Sequence, residues 1–179
     1  MGVPVISVLV VGKPDYGLSV DLALAARAFG AQQIVFTMPR STRLERYFRG
    51  IASKWGGAFE VLFTSDWAGF IRERRNYKSV YLTQFGLPYP KVAPIVKTYK
   101  NLIVVISTDG AKSIVGRTDF NVSISTQPHV TISALAIFLH EFYSGRELAM
   151  HFENARYKVV PSARSMKMKS MNRIRSARK

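Results

Sequence analysis

The chain has 179 residues, enough for one domain with a substantial core, and 47% of them are hydrophobic, the composition of a folded protein. It contains no cysteine, which excludes disulfides and thiolate chemistry, and no apolar run approaches the roughly 20 residues that cross a bilayer. Lysine and arginine number 26 against 11 acids, a formal charge of +15 that suits a polyanionic partner, with nucleic acid the first candidate.

Strand and helix patterns alternate along the chain. Val5 to Val11 is a continuous apolar run, as in a parallel strand buried on both faces. Gly12-Lys-Pro-Asp-Tyr-Gly17 reads as a loop, and Ser19 to Phe29 as an Ala/Leu-rich helix ended by Gly30. Ile34 to Met38 is a second strand; Ser41 to Lys54 is a helix capped by Ser41 or Thr42, with Glu45 placed for a capping box. Phe59 to Thr64 is a third strand, Asp66 to Arg75 a short helix, and Ser79 to Thr83 a fourth strand. Pro90 and Pro94 confine a helix to Val92 to Tyr99. Leu102 to Ser107 is a central strand, and Lys112 to Arg117 a turn or short helix. Phe120, Val122 and Ile124 alternate with polar residues as a half-buried strand does. The next helix is expected to open at Pro128, capped by Ser125 or Thr126, and to stop at Gly145. Ile132, Leu135, Ala136, Leu139 and Phe142 give it one apolar stripe, while Ile137, Phe138 and Tyr143 add bulk on a second side, so it calls for two partners: the sheet and a second subunit.

This alternation argues a parallel α/β sheet flanked by helices, with ligands at the carboxyl ends of the strands. No repeat or boundary interrupts residues 1–163, and residues 164–179 form a basic tail. Three loops follow strands in the second half: Leu82-Thr83-Gln-Phe-Gly86, Ser107-Thr108-Asp109-Gly110-Ala111-Lys112, and Ser125-Thr126-Gln127-Pro128-His129. Gly86 and Gly110 allow close backbone approach, and amides at a helix start are free donors. By composition alone these are ordinary strand-to-helix turns. His129, His140 and His151 lack carboxylates at ligand spacing, so no metal site is expected.

The cations are clustered. Arg40, Arg43, Arg46 and Arg49 recur every three residues with Tyr47 and Phe48 between them, a drifting band able to track phosphates. Arg72, Arg74, Arg75 and Lys78 gather beside Tyr77. The tail holds Arg164, Lys167, Lys169, Arg173, Arg175, Arg178 and Lys179 and no acid, so self-repulsion should leave it disordered until RNA folds it. Arg27 on the first helix is read as structural or phosphate-holding.

Several words occur in a fixed order: Ala26-Arg27-Ala28-Phe29-Gly30-Ala31, Lys54-Trp55-Gly56-Gly57, Leu82-Thr83-x-x-Gly86, Asn121-Val-x-Ile-x-x-Gln127-Pro128-His129, and Lys158-Val159-Val160-Pro161-x-Ala163-Arg164. Over residues 5 to 165 this set resembles the SPOUT class of RNA 2'-O-methyltransferases, and specifically the archaeal tRNA cytidine-56 methyltransferase family. The resemblance implies a SPOUT-like fold with a C-terminal trefoil knot and a homodimer through the knot helices. It further implies S-adenosylmethionine held by Leu82, Gly86, Ser107, Thr108, Asp109, Gly110, Ala111, Ser125, Thr126, Gln127, Pro128 and His129, and a cytoplasmic role on tRNA.

The sequence also departs from that family. Leu24 stands where an Arg is common, the loop after the first strand carries no Arg, and Lys13, Asp15 and Asp21 are its remaining polar candidates. The loop Gly-Ala-Glu-Lys has become Thr108-Asp-Gly-Ala-Lys112. Ribose methylation needs a group to accept or relay the hydroxyl proton, and none of these matches the pattern, so no catalytic residue is assigned. These departures favour an RNA-binding, ribosome-associated (rRNA-binding) component with eroded chemistry. The alternative is an active S-adenosylmethionine-dependent tRNA ribose 2'-O-methyltransferase.

Overall fold

The computed structural model describes residues 4–110 and 112–171. Six strands pair in parallel: β1 (Val5–Val11), β2 (Gln33–Phe36), β3 (Glu60–Phe63), β4 (Lys78–Pro88), β5 (Asn101–Ser107) and β6 (Phe120–Ser123), in the spatial order β3-β2-β1-β5-β4-β6. β1 lies at the centre and pairs with β5 along its whole length, from Val5 opposite Asn101 to Val11 opposite Ser107. Its apolar run does not alternate because both faces are covered: Ile6, Val8 and Val10 enter one core, Leu9 and Val11 the other.

The larger core lies under α1 (Tyr16–Ala28), α2 (Thr42–Trp55), α4 (Tyr89–Val96) and α5 (Thr131–Tyr143). The opposite face is thinly covered by α3 (Trp67–Glu73), whose Phe70 packs on Leu9, Val35 and Val105, and by Ile114 of a 3-10 turn. The chain therefore leaves β1 and β4 toward one face and β5 toward the other. Such reversals open crevices at the carboxyl ends of α/β sheets, and here β5 stands between two of them.

Local chemistry sets the helix starts, and three differ from the sequence reading. α1 begins at Tyr16, because the Asp15 carboxylate accepts the Leu18 amide at 2.8 Å and caps it there. α2 takes Ser41 as its cap, with Leu44 N donating to its hydroxyl at 3.3 Å. Glu45 is then one residue late for a capping box and instead holds Arg40 at 2.7 and 3.1 Å. α4 starts at Tyr89 with Pro90 in its first turn, where the missing N–H costs nothing. α5 starts at Thr131, not at Pro128; Val130 is its cap residue, with extended backbone and no capping side chain.

Only part of the second apolar side expected on α5 is free. Phe138 is fully buried against Tyr89 and Phe142, with ring centroids 5.5 and 6.3 Å away, and Tyr143 donates to the Gly30 carbonyl at 2.8 Å. Ile137 is 47% exposed and Val130 65%. Truncating a fully buried Phe to Ala costs about 3–5 kcal/mol, so Phe138 belongs to the fold and not to an interface. Burial pushes the Tyr89 phenol, which meets Phe138 edge to face, up to about 12.

Beyond α5, residues expected as a loose tail are paired. β7 (Tyr157–Val160) and β8 (Lys167–Ser170) form an antiparallel hairpin, so the division at residue 163 falls inside its loop. The hairpin base is stitched to the end of α2: Arg156 N donates to Lys54 O at 3.0 Å and Gly57 N to Glu153 O at 2.9 Å. A Cβ on Gly56 would collide with the Glu153 carbonyl, so the word Lys54-Trp-Gly-Gly57 is where two backbones touch. Backbone contacts to the body hold this segment in spite of its charge. Arg173, Arg175, Arg178 and Lys179 lie outside the described residues.

Candidate cofactor cleft and RNA-facing surface

The three sequence-predicted loops lie side by side at the carboxyl ends of β4, β5 and β6. The β4–β6 register jumps here: Leu82 and Leu87 both pair with Val122, so residues Thr83–Gly86 bulge out as a loop. Gly86 lies on the β6 backbone so closely that a Cβ would collide with Val122. Tyr81 anchors the loops from below. Its phenol is raised by burial and then by the Asp109 charge, while hydrogen bonds with Thr83 and Ser107 act the other way. The β5 loop turns at Gly110, with φ +69 and nothing within 4 Å of the Cβ position, so its tip is open. Ala111 lies outside the described residues.

The third loop gains from the late start of α5. Thr126, Gln127, Pro128, His129 and Val130 form an exposed ledge, and the uncapped first turn leaves its amides without a side-chain acceptor. Thr131 Oγ1 reaches the Ser107 carbonyl at 3.5 Å, joining this ledge to the β5 loop. Small residues, an open glycine turn and free backbone donors suit a nucleoside-bearing cofactor held by main-chain groups, and the residues present fit S-adenosylmethionine in that sense.

The second crevice lies between β1 and β5. Gly12, with φ +119, packs so tightly that a Cβ would collide with the Thr108 hydroxyl and lie 3.2 Å from the Asp109 carboxylate. Asp109, counted in the sequence only among cofactor contacts, thus places its carboxylate at the junction of the β1 and β5 loops, accepting from Ser107 Oγ at 2.9 Å. The other loop candidates fare differently. Asp15 is occupied as the α1 cap, Lys13 and Asp21 are exposed, and Leu24 packs on the large core. No periodicity marks Asp109; only the carboxyl-end rule applied to β1 and β5 together could have singled it out.

The structure sorts the predicted RNA-binding cations. Arg40 and Arg43 stand at the start of α2, on the same end of the sheet as the loops; Arg43 lies over the Tyr16 ring at 3.9 Å, and Arg46 and Arg49 follow, exposed, along the helix. Arg72, Arg74, Arg75 and Lys78 are not with them, because α3 runs back to the amino end of β4 on the other face. Arg74 lies over Phe70 at 3.5 Å, Arg72 is 3.8 Å from Asp66, and Lys78 is tied to Asp119 at 2.8 Å. Arg27 turns inward and is 8% exposed. Its Nη2 donates to the Gly56 carbonyl at 2.7 Å, its guanidinium sits 4.2 Å over Phe152, and burial lowers its pKa. It joins two of the ordered sequence words and is not available to phosphate. Of the histidines, His140 contacts the buried Glu147 at 2.6 Å, while His129 and His151 are exposed.

Comparison with known proteins bears on this arrangement. Residues 55–169 match the family model described as tRNA ribose 2'-O-methyltransferase, aTrm56. The chain belongs to the aTrm56 family. Relatives named tRNA (cytidine(56)-2'-O)-methyltransferase include one from Methanocaldococcus jannaschii, 34% identical over 84% of this chain and 87% of its own, and one from Archaeoglobus fulgidus, 36% identical over 87% and 91%. The SpoU methyltransferase AviRb from Streptomyces viridochromogenes, solved in complex with AdoMet, superposes with a TM-score of 0.60 at 16% identity over 82% of this chain. A Bacillus anthracis structure described as an RNA methyltransferase gives 0.57 at 16% over 81%. The chain spans 59% of the former and 94% of the latter, and at such identities the likeness establishes the SPOUT fold. These relatives are named for tRNA, which supports the methyltransferase alternative of the sequence reading better than its ribosomal one. Among the described residues no helix is long and apolar enough to cross a membrane.

Proposed function

We propose that this protein is an S-adenosylmethionine-dependent tRNA ribose 2'-O-methyltransferase, acting in the cytoplasm on cytidine 56. The observation that carries the reading is the pair of crevices flanking β5, one lined by the three backbone-rich loops and the other closed by Gly12 against Thr108 and Asp109. The cofactor would supply the methyl group to the ribose 2'-oxygen. Asp109 would orient that hydroxyl and accept or relay its proton, and Arg40, Arg43, Arg46 and Arg49 would hold tRNA phosphates on the same end of the molecule. Part of the reading is a trefoil knot formed with β6 and α5, and a homodimer in which Val130 at the cap of α5 and Ile137 within it meet a second copy; the exposure of these two residues supports the dimer.

A second reading, RNA binding without methyl transfer, has one specific support: Asp15 is spent on capping α1 and Leu24 packs in the core, so neither is available to the reaction. Isothermal calorimetry with S-adenosylmethionine separates the two. Binding in the micromolar range, with Asp109→Asn keeping that affinity but losing about 100-fold or more in transfer rate, supports the enzyme. No heat at millimolar cofactor supports the second reading.

A further inference from the structure

The β7–β8 hairpin carries a charge arrangement that the free protein does not neutralise. Its register sets Lys158 directly opposite Lys169 and Val160 opposite Lys167. Directly opposed residues of an antiparallel pair project to the same side, so Lys158, Lys167 and Lys169 share one face, and all three are exposed. The other face carries Tyr157, Val159, Met168 and Ser170, and Tyr157 and Val159 line a groove of about 1050 Å3 with Trp55, Met150 and Phe152. No acid occurs between Asn154 and Met171, Arg156 and Arg164 add to the charge, and among the described residues no ion pair involves the three lysines. Like charges placed directly opposite weaken a strand pair, and a lone two-stranded hairpin is marginal in water. An anion on the lysine face would relieve this repulsion.

We infer that Lys158, Lys167 and Lys169 form a phosphate ladder that docks on the RNA backbone, and that RNA stabilises the hairpin by removing their mutual repulsion. Residues i and i+2 of a strand are about 7 Å apart and adjacent strands about 5 Å apart, so the three ammonium groups make a compact triangle that can span successive phosphates. RNA is favoured over a lipid surface because Val160 is the one apolar side chain on the lysine face of the ribbon, with no aromatic residue or leucine beside it to enter a bilayer. The three lysines fall within the segment matched to the aTrm56 family model. The inference rests on the RNA-binding half of the proposed function and not on methyl transfer.

The test uses the full chain, an unmodified tRNA transcript and no cofactor. Replacing Lys158, Lys167 and Lys169 together by Gln should lower the slope of log K against log salt by about 2–3, so wild type should lose roughly 15- to 65-fold more affinity than the variant between about 50 and 200 mM salt. Lys169→Glu should give effects of opposite sign: more hydrogen-exchange protection across β7–β8 in the free protein, because it pairs with Lys158, and weaker tRNA binding. An unchanged slope in a triple variant with wild-type circular dichroism would overturn the ladder. So would reduced hairpin protection in Lys169→Glu, or a triple variant that keeps tRNA but loses phosphatidylserine vesicles. A protein that shows the slope change yet transfers no methyl group contradicts the enzyme and leaves the ladder standing.

Discussion

Arg27 offers the clearest quantitative test of how the fold is held, because sequence alone left it between a structural and a phosphate-holding role. Its guanidinium donates to Gly56 O at 2.7 Å and lies 4.2 Å over the Phe152 ring, while a second contact, to Trp55 O at 3.4 Å, is at the limit of a hydrogen bond. A bond from a charged donor contributes about 1.5–3 kcal/mol, and a partly desolvated cation–π contact about 1–2. The buried Nε has no partner among the described residues, and desolvation of the cation opposes both gains. Arg27→Met keeps the aliphatic stem and removes these contacts, for a net loss of about 2–4 kcal/mol. In a domain of this size that corresponds to a melting temperature lower by about 6–12 °C. Arg49→Met, on the exposed side of α2, should melt within about 2 °C of wild type and bind tRNA more weakly. Differential scanning calorimetry and filter binding on the two variants decide the matter. If Arg27→Met melted with wild type and lost RNA affinity as Arg49→Met does, the inward assignment would be wrong.

Two further outcomes follow from single sites. Burial works to raise the Asp119 carboxyl, but hydrogen bonds from Lys78 and from the Ser79 amide and hydroxyl hold it below its ordinary value of 3.8. Its stabilising effect is therefore full above that value and fades as pH falls through the lower folded value; Asp119→Asn should melt below wild type at pH 7, and urea titrations should show the gap closing below about pH 3.8. Gly86→Ala forces a Cβ into the β6 backbone at Val122, where neither strand can yield. Overpacking of this kind costs about 1–3 kcal/mol, and because the displaced loop lines the cleft, S-adenosylmethionine affinity measured by calorimetry should fall about tenfold or more.

The sheet was largely legible because buried parallel strands announce themselves. β1 runs from Val5 to Val11 in sequence and structure alike, and β5 gains only Asn101. Helix starts were less legible where two residues could serve. Gly12 to Gly17 reads as loop, yet Asp15 caps α1 inside it; Pro128 reads as a first helical residue, yet the helix does not open until Thr131. That second difference matters chemically, since Pro128, His129 and Val130 thereby join the exposed ledge of the cofactor cleft. The β4 bulge and the hairpin left little local trace. Five cations and no acid between Arg156 and Met171 suggest disorder, and only pairing with β7 and the backbone bonds to Lys54 and Gly57 offset it. Arg27 and Gly56 are 29 residues apart, a contact no local pattern reports, although the ordered sequence words contained both partners.

Methyl transfer is proposed at the junction of the β1 and β5 loops. Incubation of the purified chain with tritiated S-adenosylmethionine and an unmodified tRNA transcript, followed by nuclease mapping, reads it directly. The account predicts one 2'-O-methyl group at cytidine 56, abolished in a transcript whose position 56 is a 2'-deoxynucleotide. A transcript left unlabelled at saturating cofactor and protein would contradict it.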